Sequence, residues 1–210
     1  MSTDKSCTAQ VEIDGEQLEN VSNFIYLGAQ IESNGKSAPD IRRRLAIASN
    51  KLNKMMAIWK SEEVRLKMKI LTSCIFPTAI YGCETWSITK ESEKRITAFE
   101  MKCYRKILRI PWTAKESNAN IMKTLGLKKS LLMSKIKKLK LNYFGHLKRH
   151  DTLERDVLEG MVEGKRGRGR PQRRWQQDIQ EWLNNGVTEC GRWAQDRDFF
   201  RRTVWEATSK

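Results

Sequence analysis

His146 and His150 stand four residues apart in a stretch with helical spacing, a separation that puts two imidazoles on one helix face as a metal pair. No cysteine lies within a turn of them, and two imidazoles hold zinc weakly, so no metal site is expected. Nucleotidyl transfer needs carboxylates gathered around two magnesium ions. The acidic residues are instead scattered along polar helix faces, with Glu84 isolated beside Trp86. No Gly-x-x-x-x-Gly-Lys phosphate loop occurs. The five cysteines (Cys7, Cys74, Cys83, Cys103, Cys190) are never paired as Cys-x-x-Cys, which fits buried free thiols in a reducing compartment. The sequence thus predicts no catalytic centre, no cofactor, no metal and no small-molecule substrate.

What the side chains can do is hold phosphate. Forty Lys and Arg against 25 Asp and Glu leave +15, a field that attracts polyanions. From Ser117 to His150 there are 34 residues without an Asp or Glu, carrying Lys123, Lys128, Lys129, Lys135, Lys137, Lys138, Lys140, Lys148 and Arg149. Acidic residues interleave on an ordinary solvated helix face. Their absence here points to phosphate contact. A second patch is Lys165, Arg166, Arg168, Arg170 and Pro171, with Arg173 and Arg174 behind it. Arg168-Gly169-Arg170-Pro171 matches the core of an AT-hook, in which arginine enters a narrow minor groove. The same stretch equally reads as a flexible basic linker whose Pro171 opens the next helix. The expected partners are RNA, DNA or their hybrid, with no membrane, in nucleus or cytoplasm. The sequence carries no signal for oligomeric state.

These groups must be positioned by a mainly α fold. Val11 and Ile13, the Asp14-Gly15 turn signal and the run Phe24–Leu27 predict a β-hairpin, with a further short strand at Ala29–Ile31. Ser37-Ala38-Pro39-Asp40 reads as a helix start, with Ser37 capping and Ile41, Leu45, Ala48, Leu52 and Trp59 on one face. Helices are expected over 62–75, breaking or kinking at Pro77 and the Tyr81-Gly82 step, then 89–108, 119–125 and 130–148. In the last of these the apolar set is Leu132, Ile136, Leu139, Tyr143 and Leu147, with the lysines opposite. Two more helices are expected over 172–183 and 192–207. The chain divides into a hairpin (1–36), a helical domain (37–150), a basic linker (151–171) and a smaller C-terminal helical segment (172–210).

Phe24-Ile25-Tyr26-Leu27-Gly28 with Ile31 and Gly35 resembles the segment after the catalytic palm in reverse transcriptases of non-LTR, LINE-type retrotransposons. So do Tyr81-Gly82-Cys83-Glu84-Thr85-Trp86, Phe99-Glu100-Met101-Lys102-Cys103 with Arg105-Lys106-Ile107-Leu108, and Gly145-His146-Leu147 with Arg149. Gly169-Arg170-Pro171 with Trp175, Asp178 and Ile179, and Ala194-Gln195-Asp196-Arg197, complete a set in family order. His150 departs from it, standing where similar sequences carry an apolar residue. The resemblance implies a thumb-like helical domain that grips the template–primer duplex, with Tyr26, Leu27 and Gly28 as a primer-grip-like hairpin. It also implies that the family's endonuclease, fingers and Tyr-Ala-Asp-Asp palm turn would lie before Met1, so that the chain binds without polymerising. With no palm beside the hairpin, Phe24, Tyr26 and Leu27 are expected to be exposed. A second reading is a host-adopted DNA-binding or scaffold protein with the Gly/Arg stretch as its tether.

Overall fold

The computed structural model describes residues 12–151, 153–159 and 173–209. Lys165, Arg166, Arg168, Arg170, Pro171, Cys7 and Val11 lie outside them. Two separate hairpins open the described chain. Asp14-Gly15 folds β1 (Glu12–Ile13) onto β2 (Glu16–Gln17), and Leu27-Gly28 folds β3 (Asn23–Tyr26) onto β4 (Ala29–Glu32). The Phe24–Tyr26 run therefore pairs with the residues just after it, Tyr26 opposite Ala29, and not across Asp14-Gly15 as expected. A two-residue turn with both central φ angles positive joins immediate neighbours. Leu27 (φ 46°) and Gly28 (φ 81°) form one as surely as Asp14 and Gly15 do.

The rest is helical. In α1 (Ala38–Lys54) Pro39 sits in the first turn, and Ile41, Ala48 and Leu52 are buried. Ser37 does not cap it: its hydroxyl accepts from the Ser87 amide (3.0 Å). Asp40 is also spoken for, accepting from the Gln30 amide (2.9 Å) and Trp86 Nε1 (2.8 Å), so it ties β4 and a distant loop to α1. A short turn, α2 (Met56–Trp59), leads to α3 (Val64–Ile70). The helix expected to break or kink at Pro77 and Tyr81-Gly82 continues through Pro77 and ends at Ala79. A π-helical turn over Leu71–Ile75 widens the backbone ahead of α4 (Phe76–Ala79), which removes the clash a proline ring makes with the carbonyl four residues back. Carbonyls around this turn find side-chain donors: Thr72 O from Lys135 (3.1 Å) and Cys74 O from Thr78 (2.9 Å).

α5 (Lys90–Leu108) is capped by Thr89, whose hydroxyl accepts from the Ser92 amide (3.1 Å), and buries Ile96, Phe99, Cys103 and Ile107 as its spacing predicts. After α6 (Asn118–Thr124) comes α7 (Leu131–Arg149), capped by Ser130. α7 serves two cores. Leu132, Met133 and Ile136 join the main one with Leu52, Leu71, Phe76 and Tyr104. Leu141, Phe144 and Leu147 form a second with Trp175, Ile179, Ala194, Phe200 and Val204.

The C-terminal elements are α8 (Leu153–Glu159), α9 (Trp175–Leu183), α10 (Val187–Gln195) and α11 (Arg197–Ser209). The single helix expected over 192–207 is two helices, because the Asp196 carboxylate accepts from the Asp198 and Phe199 amides (3.0 and 2.9 Å) and starts a new helix there. α11 crosses α7 at Gly145, where an added Cβ would lie 2.7 Å from two ring carbons of Phe200. Alanine in a helix normally gains about 0.5–1 kcal/mol over glycine. Here overpacking at about 1–3 kcal/mol should outweigh it. Gly145→Ala is expected to lower the urea midpoint, and a raised midpoint would show that the Phe200 ring yields at no cost.

Candidate nucleic-acid interface

The lysines of α7 do not share one face. Successive helical residues are separated by about 100°, so Lys135, Lys138 and Leu139 point one way and Lys137 another. Lys138 is exposed, and Leu139, at 36% exposure, lies outside the core it was expected to join. Lys135 is half-buried, its ammonium on Thr72 O and 5.8 Å from the Phe76 ring centroid, and burial holds its pKa below the ordinary lysine value. Two of its three protons remain for a ligand. Lys137 lies 5.7 Å from the centre of the Trp182 ring, on the side of α9.

Lys140 is not on the surface at all. It has no exposed area, donates to Trp86 O (2.5 Å) and Asp178, and sits 4.8 Å from the Trp175 ring centroid. It takes the inward position expected for Leu139, so the proposed phosphate contact by Lys140 is corrected: its charge is spent inside the fold. Burial lowers its pKa to about 8 against the opposing pull of Asp178. Arg173 is similarly engaged, forking onto Glu181 (2.7 and 2.6 Å) and reaching Asp178 (2.8 Å). The missed signal was legible: Lys140 is four residues from both Ile136 and Phe144, in the middle of the buried stripe.

The remaining positions spread along the molecule. Lys123 and Lys128 are exposed, and Lys129 reaches the Thr208 carbonyl at the end of α11. Lys148 lies 5.8 Å from the Phe144 ring centroid within α7, and Arg149 donates to Ala194 O (2.8 Å), which braces α7 against α10. Arg174 is exposed at the start of α9.

The β3–β4 hairpin meets α7 across an open groove of about 850 Å³. Tyr26 and Leu27 of the hairpin and Lys135, Lys138 and Leu139 of α7 line it, with Tyr81 and the acidic Glu84 also among its lining residues. The hairpin is exposed as expected, with Phe24 at 52%, Tyr26 at 58% and Leu27 at 76%. Its tip is nonetheless pinned. The Gly28 carbonyl accepts from Arg43 (2.8 Å) and Arg44, and Leu27 O from the Tyr81 hydroxyl (3.3 Å). Arg44 also stacks 4.4 Å from the Tyr81 ring centroid. An L-residue at φ 46° costs energy, and Leu27 accepts it at the place where its side chain projects into the groove.

The two histidine ring centroids lie 4.5 Å apart with their planes tilted by 47°, and among the described residues no group of three or more His, Cys, Asp or Glu could hold a metal. Cys83, Cys103 and Cys190 are buried free thiols, pushed above their ordinary pKa by burial, Cys103 to about 12. Such thiols are poor nucleophiles. No described helix is long and apolar enough to cross a membrane.

No protein-family model matches the chain, and no solved structure does. The chain is 25% identical over 136 residues to an uncharacterized transposon-derived protein of Caenorhabditis elegans. That stretch covers 63% of this chain and 49% of the relative, so the chain spans about half the length of the protein it matches. The similarity supports a transposon origin for this chain.

Proposed function

We propose that the chain is the post-palm region of a non-LTR retrotransposon reverse transcriptase, a helical grip that holds a template–primer duplex by its phosphates and does no polymerase or endonuclease chemistry itself. One observation carries the reading: a single groove collects the primer-grip-like Tyr26 and Leu27 with Lys135 and Lys138 of the acid-free stretch. Apolar and aromatic groups at the hairpin tip suit sugar and base edges at a strand end. The ammonium groups opposite suit the backbone, and contacts of that kind do not depend on sequence. The transposon-derived relative supports a transposon origin, with which this reading agrees.

The test is a salt titration of binding to an RNA–DNA hybrid by fluorescence anisotropy. Lys135→Gln with Lys138→Gln should lower the slope of log K against log salt by roughly 1.8, at about 0.9 per lost phosphate contact. The loss should be the same on hybrids of different sequence. A slope equal to that of the native chain would remove this groove from the duplex path, and near-flat salt dependence of the native chain would end the reading altogether.

A further inference from the structure

A second basic surface lies away from that groove, where α5 ends. Trp112, at 85% exposure, stands on a 3-10 turn (Trp112–Ala114) beside a groove of about 550 Å³. Lys102, Arg105, Lys106 and Lys115 line the groove, with Glu116 as the acidic residue among its walls. The turn is wound tightly: Arg109 (φ 56°) and Lys115 (φ 49°), neither of them glycine, hold left-handed backbone on either side of it. Bulky indoles rarely stand so far out of a fold, and backbone conformations of this kind persist where the surroundings impose them.

The cations are held without being neutralised. Arg105 donates to Glu116 O (3.0 Å) and Asn118 Oδ1 (2.8 Å), both uncharged acceptors. Lys102 rests on the Ser49 hydroxyl (2.6 Å). Arg109 donates to the carbonyls of Trp59 (3.3 Å) and Ser61 (3.2 Å), and with Lys60 it carries the positive surface into an adjoining groove that shares Arg105 and Lys106. Fixed guanidinium and ammonium groups around an open aromatic face suit a ligand that is both a polyanion and a source of flat rings.

We infer that this surface binds single-stranded nucleic acid, one base stacking on Trp112 while Lys102, Lys106 and Lys115 take the flanking phosphates. A duplex satisfies the same cations but keeps its base faces stacked on each other, so only an unpaired base uses the indole. The inference stands apart from the duplex reading because none of these residues lines the hairpin groove.

The experiment uses the full chain with a labelled ten-nucleotide oligo(dT) and, separately, a blunt RNA–DNA hybrid. Trp112→Ala should weaken the single strand roughly ten-fold, within the range of one base–aromatic stack. Trp112→Phe should recover most of that loss, and the hybrid should bind both variants as it binds the native chain. Lys135→Gln with Lys138→Gln should leave the single strand's affinity unchanged, which separates failure here from failure of the duplex grip. An unchanged single-strand affinity for Trp112→Ala overturns the proposal, as does an equal loss on strand and hybrid or a Phe variant no better than Ala. Because the side chain is exposed, a far-UV spectrum matching the native chain should accompany each variant.

Discussion

Asp178→Ala is expected to destabilise the fold by about 3–5 kcal/mol, the usual cost of leaving one member of a buried ion pair without its partner. Asp178 has no exposed area. It accepts from Lys140 on α7, from Arg173 just ahead of α9, and from the Ile88 amide (2.9 Å) at the approach to α5. One carboxylate therefore joins both cores, and its removal strands a buried ammonium between Trp175 and Trp182. Lys140→Met should cost less, about 1–2 kcal/mol, because Asp178 then keeps Arg173 and the Ile88 amide and the new side chain is apolar. Urea unfolding followed by circular dichroism measures both, and a Lys140→Met loss as large as that of Asp178→Ala would contradict this arrangement.

The pair also has a pH signature. Lys140 has its pKa lowered to about 8 from 10.5, chiefly by burial. Between those values the unfolded chain holds a proton that the folded chain has released, so this group makes stability rise with pH across that window. The native chain should gain on Lys140→Met from about pH 8 upward, and below pH 8 the difference between them should be flat.

The mainly α fold and the helix starts at Thr89 and Ser130, with a short helix near Ala119 between them, were legible because each depends on neighbours in sequence. The exposure of the hairpin was expected from the resemblance, which leaves Phe24, Tyr26 and Leu27 with no palm to pack on. What escaped reading was long-range. Ser37 and Asp40 look like a capping box, yet Ser87 and Trp86, some 50 and 46 residues away, claim their oxygens. Lys140 looks like one cation among nine; its spacing from Ile136 and Phe144 marks the inward position, but the Asp178 that makes a buried ammonium tolerable there lies 38 residues on. The π turn that accommodates Pro77 needs donors such as Lys135, 63 residues from the carbonyl it serves. Of the candidate interface, the residue types were legible in the sequence. The split of α7 into a groove face and a buried face depended on one partner acid, and the indole of Trp112 carried no sequence pattern to mark it.

Glu100→Ala should cost about 4 kcal/mol, at roughly 1 kcal/mol net for each of four hydrogen bonds to a buried carboxylate. Glu100 has no exposed area. It accepts from the Tyr104 hydroxyl (2.6 Å), the Ser130 hydroxyl, and the amides of Leu131 (2.7 Å) and Leu132 (3.1 Å). The last two are amides that the first turn of α7 cannot satisfy by itself. A negative charge there also complements the positive end of the helix dipole. Glu100 is thus a cap supplied from another helix, added to the local one from Ser130, whose hydroxyl bonds the Met133 amide (3.0 Å). Its loss should fray the first turn of α7 and with it the placement of Lys135, one turn further on. Glu100→Gln keeps the shape and one acceptor oxygen but not the charge, so it should fall about midway in stability. The two effects separate by readout. Urea unfolding should order the variants native, Gln, Ala, and hybrid affinity at low salt should follow the same order even where each variant is fully folded. If Glu100→Ala unfolds within about 1 kcal/mol of the native chain, the start of α7 is held by Ser130 alone, and the groove does not depend on a cap from α5.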